Sequence, residues 1–168
     1  MSAFAALLKM DTPRAPGPVP TYSSSHVLLM VLTIGGAGAI GRHALAEEAG
    51  LGEGAVRTVI KWLKEDGYIT VEPNGCQLTA KGRQVYFELR SAMPKTLELS
   101  RTTLTVGREQ VAILLKNKSS RVRSGIEQRD SSIRAGAAGA TTYVIKGSSF
   151  RCRGRQWTAR RTFPVRHG

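Results

Sequence analysis

The stretch Gly41-Arg-His-Ala-Leu-Ala-Glu-Glu-Ala-Gly-Leu-Gly-Glu-Gly-Ala-Val-Arg-Thr-Val-Ile-Lys-Trp-Leu-Lys-Glu-Asp-Gly-Tyr-Ile69 decides the fold. Its second half predicts a helix over Glu53–Asp66, because Val56, Val59, Ile60 and Leu63 recur at i, i+3, i+4 and i+7 and define one buried stripe. Arg57, Lys61 and Lys64 fall on the adjacent arc, so one face packs while the next presents cations. The first half predicts a shorter helix over Arg42–Ala49, with Ala44, Leu45, Ala46 and Ala49 as packing residues and Glu47 and Glu48 toward water. Gly50-Leu-Gly52 turns the chain tightly between the two.

Upstream, one of Ser23, Ser24 or Ser25 caps a helix whose body, Val27 to Ile34, is apolar nearly all round and ends at Gly35, Gly36 and Gly38. Before it, Pro13, Pro16, Pro18 and Pro20 make residues 1–24 an extended arm that precedes the first compact unit. Downstream, Gly67 stops the long helix. Tyr68 to Val71 reads as a strand, Glu72 to Gly75 as a turn of the Asn-Gly kind, and Cys76 to Leu78 as the return strand. Thr79 then caps a helix running to about Ala92, with Val85, Tyr86, Leu89 and Met93 inside and Pro94 at its end.

Two short helices, a tight turn, a third helix, a hairpin and a closing helix resemble the winged helix-turn-helix of many prokaryotic transcription regulators. The likeness rests on Ala44-Leu-Ala-Glu47, Gly50-Leu51, Val56-Arg57, Leu63-Lys-Glu-Asp-Gly-Tyr-Ile69 and Leu78-Thr-Ala-Lys-Gly82, spread over about 60 residues (25–93 for the domain as a whole). It implies that the helix 53–66 lies in a DNA major groove, where arginine pairs with guanine and lysine neutralises phosphate. Arg57, Thr58, Lys61 and Lys64 are the expected contacts, Gly54 lets the duplex come close, and Arg42 reaches phosphate or sits exposed. Asn74, at the hairpin tip, is a turn former and a candidate contact. Trp62 lies outside both arcs and is expected to pack against the arm or a partner subunit.

Charge is a weaker guide than it looks. The 168 residues carry a formal charge of +13, but residues 1–100 hold ten basic and nine acidic side chains, against fifteen and three in residues 101–168. Non-specific affinity comes mainly from neutralised phosphates, so a nearly neutral reading domain is expected to bind as a homodimer. Residues 151–168 contain six arginines and no acid, either as a nucleic-acid arm or as the product of a shifted reading frame.

Beyond the connector 95–101, Thr102 to Val106 and Gln110 to Leu115 read as strands, Ser119 to about Ala135 as a helix, and Ala140 to Ile145 as a strand. Strands flanking that helix in one sheet would be parallel and would leave one sheet face bare for a dimer. The fold class expected is α+β, a winged helix-turn-helix followed by a small α/β (β-β-α-β) domain over 102–150 and a basic tail over 151–168. This order of parts resembles an archaeal family in which a winged helix-turn-helix precedes a small domain of unassigned function. The matching residues are Val106 to Leu115, Arg123 to Asp130 and Ala135 to Thr142, and the likeness is expected to stop near Phe150. Lys116, Lys118, Ser119 and Ser120, at a strand end and helix start, form a candidate anion or effector site, although Ser119 as a simple cap explains them too. Glu127, Gln128, Arg129 and Asp130 are expected to line a pocket or pair across a dimer.

Cys76 and Cys152 are too few for a disulfide framework, and with only three histidines beside them no structural zinc site is expected. No cofactor is expected. There is no Walker loop, GxGxxG after a strand, GxSxG or HExxH, so an enzyme is not expected. The longest apolar run is far short of the ~20 residues that cross a bilayer, and no secretory signal is evident, which leads to a soluble, cytoplasmic protein. The reading that results is a regulator that binds double-stranded DNA; a winged-helix module for protein or RNA contacts is the alternative.

Overall fold

The computed structural model describes Leu7, residues 21–100 and 107–145, and the backbone of residues 146 and 149–152. The chain divides into two units, Met1–Ser91 and Ala92–Gly168.

In the first unit, helix α1 (Ser24–Ala37) is capped by Ser23, whose backbone N–H donates to His26 Nδ1 at 3.0 Å. Val27, Met30, Val31 and Ile34 are fully buried, as an apolar helix at the centre of a core requires. Helix α2 (Arg42–Ala49) buries Leu45, Ala46 and Ala49, whereas Ala44 is exposed, contrary to its expected packing role. Gly50 ends α2 in the left-handed conformation. Helix α3 (Glu53–Glu65) buries Val56, Val59 and Leu63, with Ile60 half-buried at the edge of the stripe.

The hairpin pairs β1 (Ile69–Glu72) with β2 (Gly75–Leu78), Ile69 opposite Leu78 and Glu72 opposite Gly75. Its loop is therefore Pro73-Asn74, not Asn74-Gly75. Proline fixes a negative φ, so the glycine's positive φ of 122° falls after the loop. That glycine is needed for a second reason: a Cβ there would lie 2.5 Å from the Ile40 carbonyl. Ile40 forms a one-residue bridge to Cys76, with hydrogen bonds of 3.1 and 2.8 Å, and adds a third edge to the hairpin.

Helix α4 (Ala80–Ala92) closes the unit with Val85 and Leu89 buried and Tyr86 half-buried against Gly35. Thr79 caps it: the Gly82 N–H donates to Thr79 Oγ1 at 3.1 Å. Gly82 itself lies against the Tyr68 carbonyl, where a Cβ has no room. Two residues of the expected arm belong to this core. Leu7 is helical and fully buried, and Tyr22 is buried with its ring edge-to-face on Trp62, centroids 5.7 Å apart. The remaining residues of 1–20 lie outside the described residues.

The second unit departs further from expectation. The connector holds a strand, β3 (Lys95–Leu99), which pairs antiparallel with β4 (Gln110–Leu114); the strand expected over 102–106 lies outside the described residues. The helix expected from Ser119 is two pieces, a 3₁₀ turn at Ser119–Arg121 and helix α5 (Ile126–Arg134). Val122 is extended and Gly125 has φ +84°, so the chain is reset between them, and Ser124 Oγ accepts from the Ile126 N–H at 3.2 Å. Strand β5 (Tyr143–Lys146) pairs antiparallel with β6 (Ser149–Cys152). The strands around α5 thus belong to two separate hairpins, and the parallel crossover expected there is replaced by local antiparallel pairing. Strand β6 also carries regular structure across residue 150, where the domain was expected to end.

Candidate nucleic-acid interface

Helix α3 divides its two faces as the spacing requires. On the arc beside the buried stripe, Arg57, Lys61 and Lys64 are exposed. Lys61 Nζ lies 3.8 Å from Glu65 Oε1 one turn on, with both side chains more than half exposed, so the pair is screened by solvent and holds Lys61 only weakly. Gly52 and Gly54 have open space where a side chain would stand, which leaves the start of α3 low and approachable. Thr58 Oγ1 donates to the Gly54 carbonyl at 3.1 Å, so in the free protein its proton is engaged and its oxygen is left as an acceptor.

A cleft of about 370 Å³ runs between α3 and the hairpin. Arg42, Arg57 and Asn74, three residues singled out from the sequence, line it together with Ile60 and Val71. The hairpin tip is held by Gln77, whose Nε2 donates to Asn74 Oδ1 at 2.9 Å, so the Asn74 amide nitrogen is the group left to donate outward. At the foot of α3, Glu53 lies 3.8 Å from Arg42 Nη2 and 3.4 Å from His43 Nδ1. Sequence spacing holds a signal for Glu53, four residues before Arg57 on the same arc; the Ile40 bridge has none, since one residue carries no periodicity.

Below this surface two groups resist ionisation. Burial, and to a lesser degree the Asp66 carboxylate, pushes the Tyr68 phenol up, and burial pushes the Cys76 thiol up. Lys81 Nζ lies 4.2 Å over the Tyr68 ring and donates to the Asp66 carbonyl at 2.7 Å. This cation reinforces the end of α3.

The candidate effector residues fare differently. Lys116 donates its backbone N–H to the Ala92 carbonyl at 2.9 Å, and Lys118, Ser119 and Ser120 stand at a three-residue 3₁₀ turn rather than at the start of an α-helix. A turn of that length lacks the aligned dipole of an α-helix start, so of the expected attraction for an anion only the lysine and serine side chains remain. In α5, Arg129 pairs with the adjacent Asp130 at 2.9 Å and Glu127 accepts from Ser124 at 3.2 Å, so three of the four residues of this polar cluster are paired locally, whereas the buried Gln128 Oε1 has no hydrogen-bond partner among the described residues.

Residues 28–93, which carry this helix and hairpin, match the family model of the CggR N-terminal DNA binding domain. The first unit is similar to a DNA-binding domain. Residues 106–164 match a domain of unknown function, DUF4443. The two matches together fit a winged helix-turn-helix family with a C-terminal domain of unassigned function. The second match runs past Phe150, which corrects the expected end of the resemblance and favours a native tail over a shifted frame. Among solved structures, a hypothetical protein from Pyrococcus horikoshii OT3 is similar at 28% identity and a TM-score of 0.59, over 77% of this chain. The chain spans 65% of that protein's length. No curated protein matches. Among the described residues, no helix is long and apolar enough to cross a membrane.

Proposed function

We propose that the chain is a cytoplasmic transcriptional regulator that reads DNA with α3 and steadies the duplex with the β1–β2 hairpin as a wing. One observation carries the reading: Arg57, Lys61 and Lys64 form an exposed stripe on the helix whose other face is core, in a unit similar to a DNA-binding domain. Arginine and lysine in that position supply guanine pairing and phosphate neutralisation. Arg42 and Asn74, on the walls of the cleft, hold the backbone on either side. The role is one of binding rather than catalysis.

The second unit supplies a homodimer. Leu97, Leu99, Val111, Ile113 and Ile145 are between 43% and 59% exposed, and a small domain keeps that much apolar side chain wet only at a cost that association removes. Two copies bring two α3 helices to half-sites about one helical turn apart.

Binding to genomic DNA fragments followed by footprinting tests the proposal. A discrete protected site is expected, and the double substitution Arg57→Ala, Lys61→Ala abolishes it. Uniform, steeply salt-dependent binding that this change leaves intact would show contact through the arginine-rich tail alone.

A further inference from the structure

We propose that Glu53 reads a cytosine amino group in the major groove, an inference that rests on the DNA-binding reading above. Residues 53, 57 and 61 are four apart, so Glu53 continues the Arg57–Lys61 stripe to the first turn of α3. Any duplex lying on Arg57 and Lys61 meets Glu53 as well. The first turn of a recognition helix is the part that reaches base edges, and the open positions at Gly52 and Gly54 let it go deep.

The chemistry selects the base. A carboxylate only accepts hydrogen bonds, so phosphate, guanine O6 and N7, and thymine O4 all repel it. Adenine offers an amino group beside the N7 acceptor, which faces the second carboxylate oxygen. Cytosine N4 is a donor with no acceptor next to it in the groove, and it fits.

Helix α2 prepares the group for this task. Arg42 and the His43 ring approach different oxygens of Glu53, at 3.8 and 3.4 Å. Arg42 thereby offsets the carboxylate's repulsion of the duplex. These separations are longer than tight ion-pair hydrogen bonds, so lone pairs remain for a base. The side chain is 52% exposed. Toward the base, Arg42 and His43 act only as positioning residues for the carboxylate, and Glu53 is the base contact.

The experiment takes the full-length chain, the footprinted site, and probes carrying each of the four bases at every position of the half-site. The wild-type chain is expected to prefer cytosine over thymine at one position by about 5- to 150-fold. Glu53→Ala binds all four probes at that position within about twofold of one another. Glu53→Gln turns the preference toward adenine, because an amide both donates and accepts. An unchanged base order in both variants, or a uniform loss across all probes, overturns the assignment while the Arg57→Ala, Lys61→Ala result still upholds the regulator. Absence of any protected site overturns both.

Discussion

Thr79 Oγ1 donates to the carbonyl oxygen of Gly67 at 2.7 Å, across twelve residues of chain. The same oxygen accepts the Gly82 N–H at 3.1 Å, and the Thr79 backbone N–H donates to the Tyr68 carbonyl at 3.0 Å. One threonine therefore caps α4 and ties the end of the hairpin to the turn that follows α3. The sequence Leu78-Thr-Ala-Lys-Gly82 acts as a structural latch: Thr79 caps, Lys81 covers the Tyr68 ring, and Gly82 leaves room for the Tyr68 carbonyl.

Thr79→Val keeps the shape and removes the hydroxyl. It is expected to lower the stability of the first unit by about 1–2 kcal/mol, the usual cost of a lost cap, while Thr79→Ser retains most of it. Denaturant unfolding of the three proteins checks the order. Equal stability for Val and Thr would show that the latch contributes nothing.

The Tyr22–Trp62 contact is a testable link between the N-terminal segment and α3. A double-mutant cycle with Tyr22→Leu and Trp62→Leu is expected to give a coupling of about 0.5–1.5 kcal/mol, the value of an edge-to-face pair beyond its buried area. Additive single effects would mean that the rings stabilise the unit independently.

Salt titration separates phosphate contacts from base contacts. Each phosphate neutralised contributes about 0.9 to the slope of log K against log salt, so Lys64→Ala is expected to flatten the slope by roughly one per protomer bound. Arg57→Ala is expected to cost about 1–3 kcal/mol in specific affinity and to relax the base preference at one position. Fluorescence anisotropy at several salt concentrations reads both effects.

Val111 and Ile113 lie on one face of β4, opposite Glu98 and Thr96, and are 59% and 56% exposed. Val111→Lys with Ile113→Lys is expected to convert the proposed dimer to a monomer without loss of secondary structure, and to weaken binding to a two-half-site probe more than to a single half-site. Sedimentation and circular dichroism check this. A double variant that still sediments as a dimer places the interface elsewhere.

Alkaline pH tests the buried thiol and phenol. Both Cys76 and Tyr68 have pKa values raised by folding, the phenol by burial first and by Asp66 second. The unfolded chain therefore loses these protons at lower pH than the folded one. Their contribution is complete below the ordinary values and declines as pH rises through the raised ones. The melting temperature of the wild-type chain is expected to fall with pH above the ordinary thiol range. Cys76→Ala removes the earlier part of that fall and Tyr68→Phe the later part; a parallel decline in all three proteins would mean that neither group causes it.

The sequence by itself determined the first unit well, and for a local reason. Helical periodicity at Val56, Val59, Ile60 and Leu63, the stops at Gly50 and Gly67, and the pairing of β1 with β2 are set within a dozen residues, where spacing alone states which side chains share a face. The cationic stripe of α3 came with them. What only the tertiary structure decided depends on residues far apart in the chain. Tyr22 meets Trp62, Ile40 completes the hairpin edge at Cys76, and Arg42 reaches Glu53, contacts that no local pattern encodes. The second unit was least legible because its apolar residues do not report an inside. With Val111, Ile113, Leu97 and Leu99 all exposed, alternation does not mark a buried face, and the antiparallel hairpins are fixed by backbone pairing that many sequences satisfy.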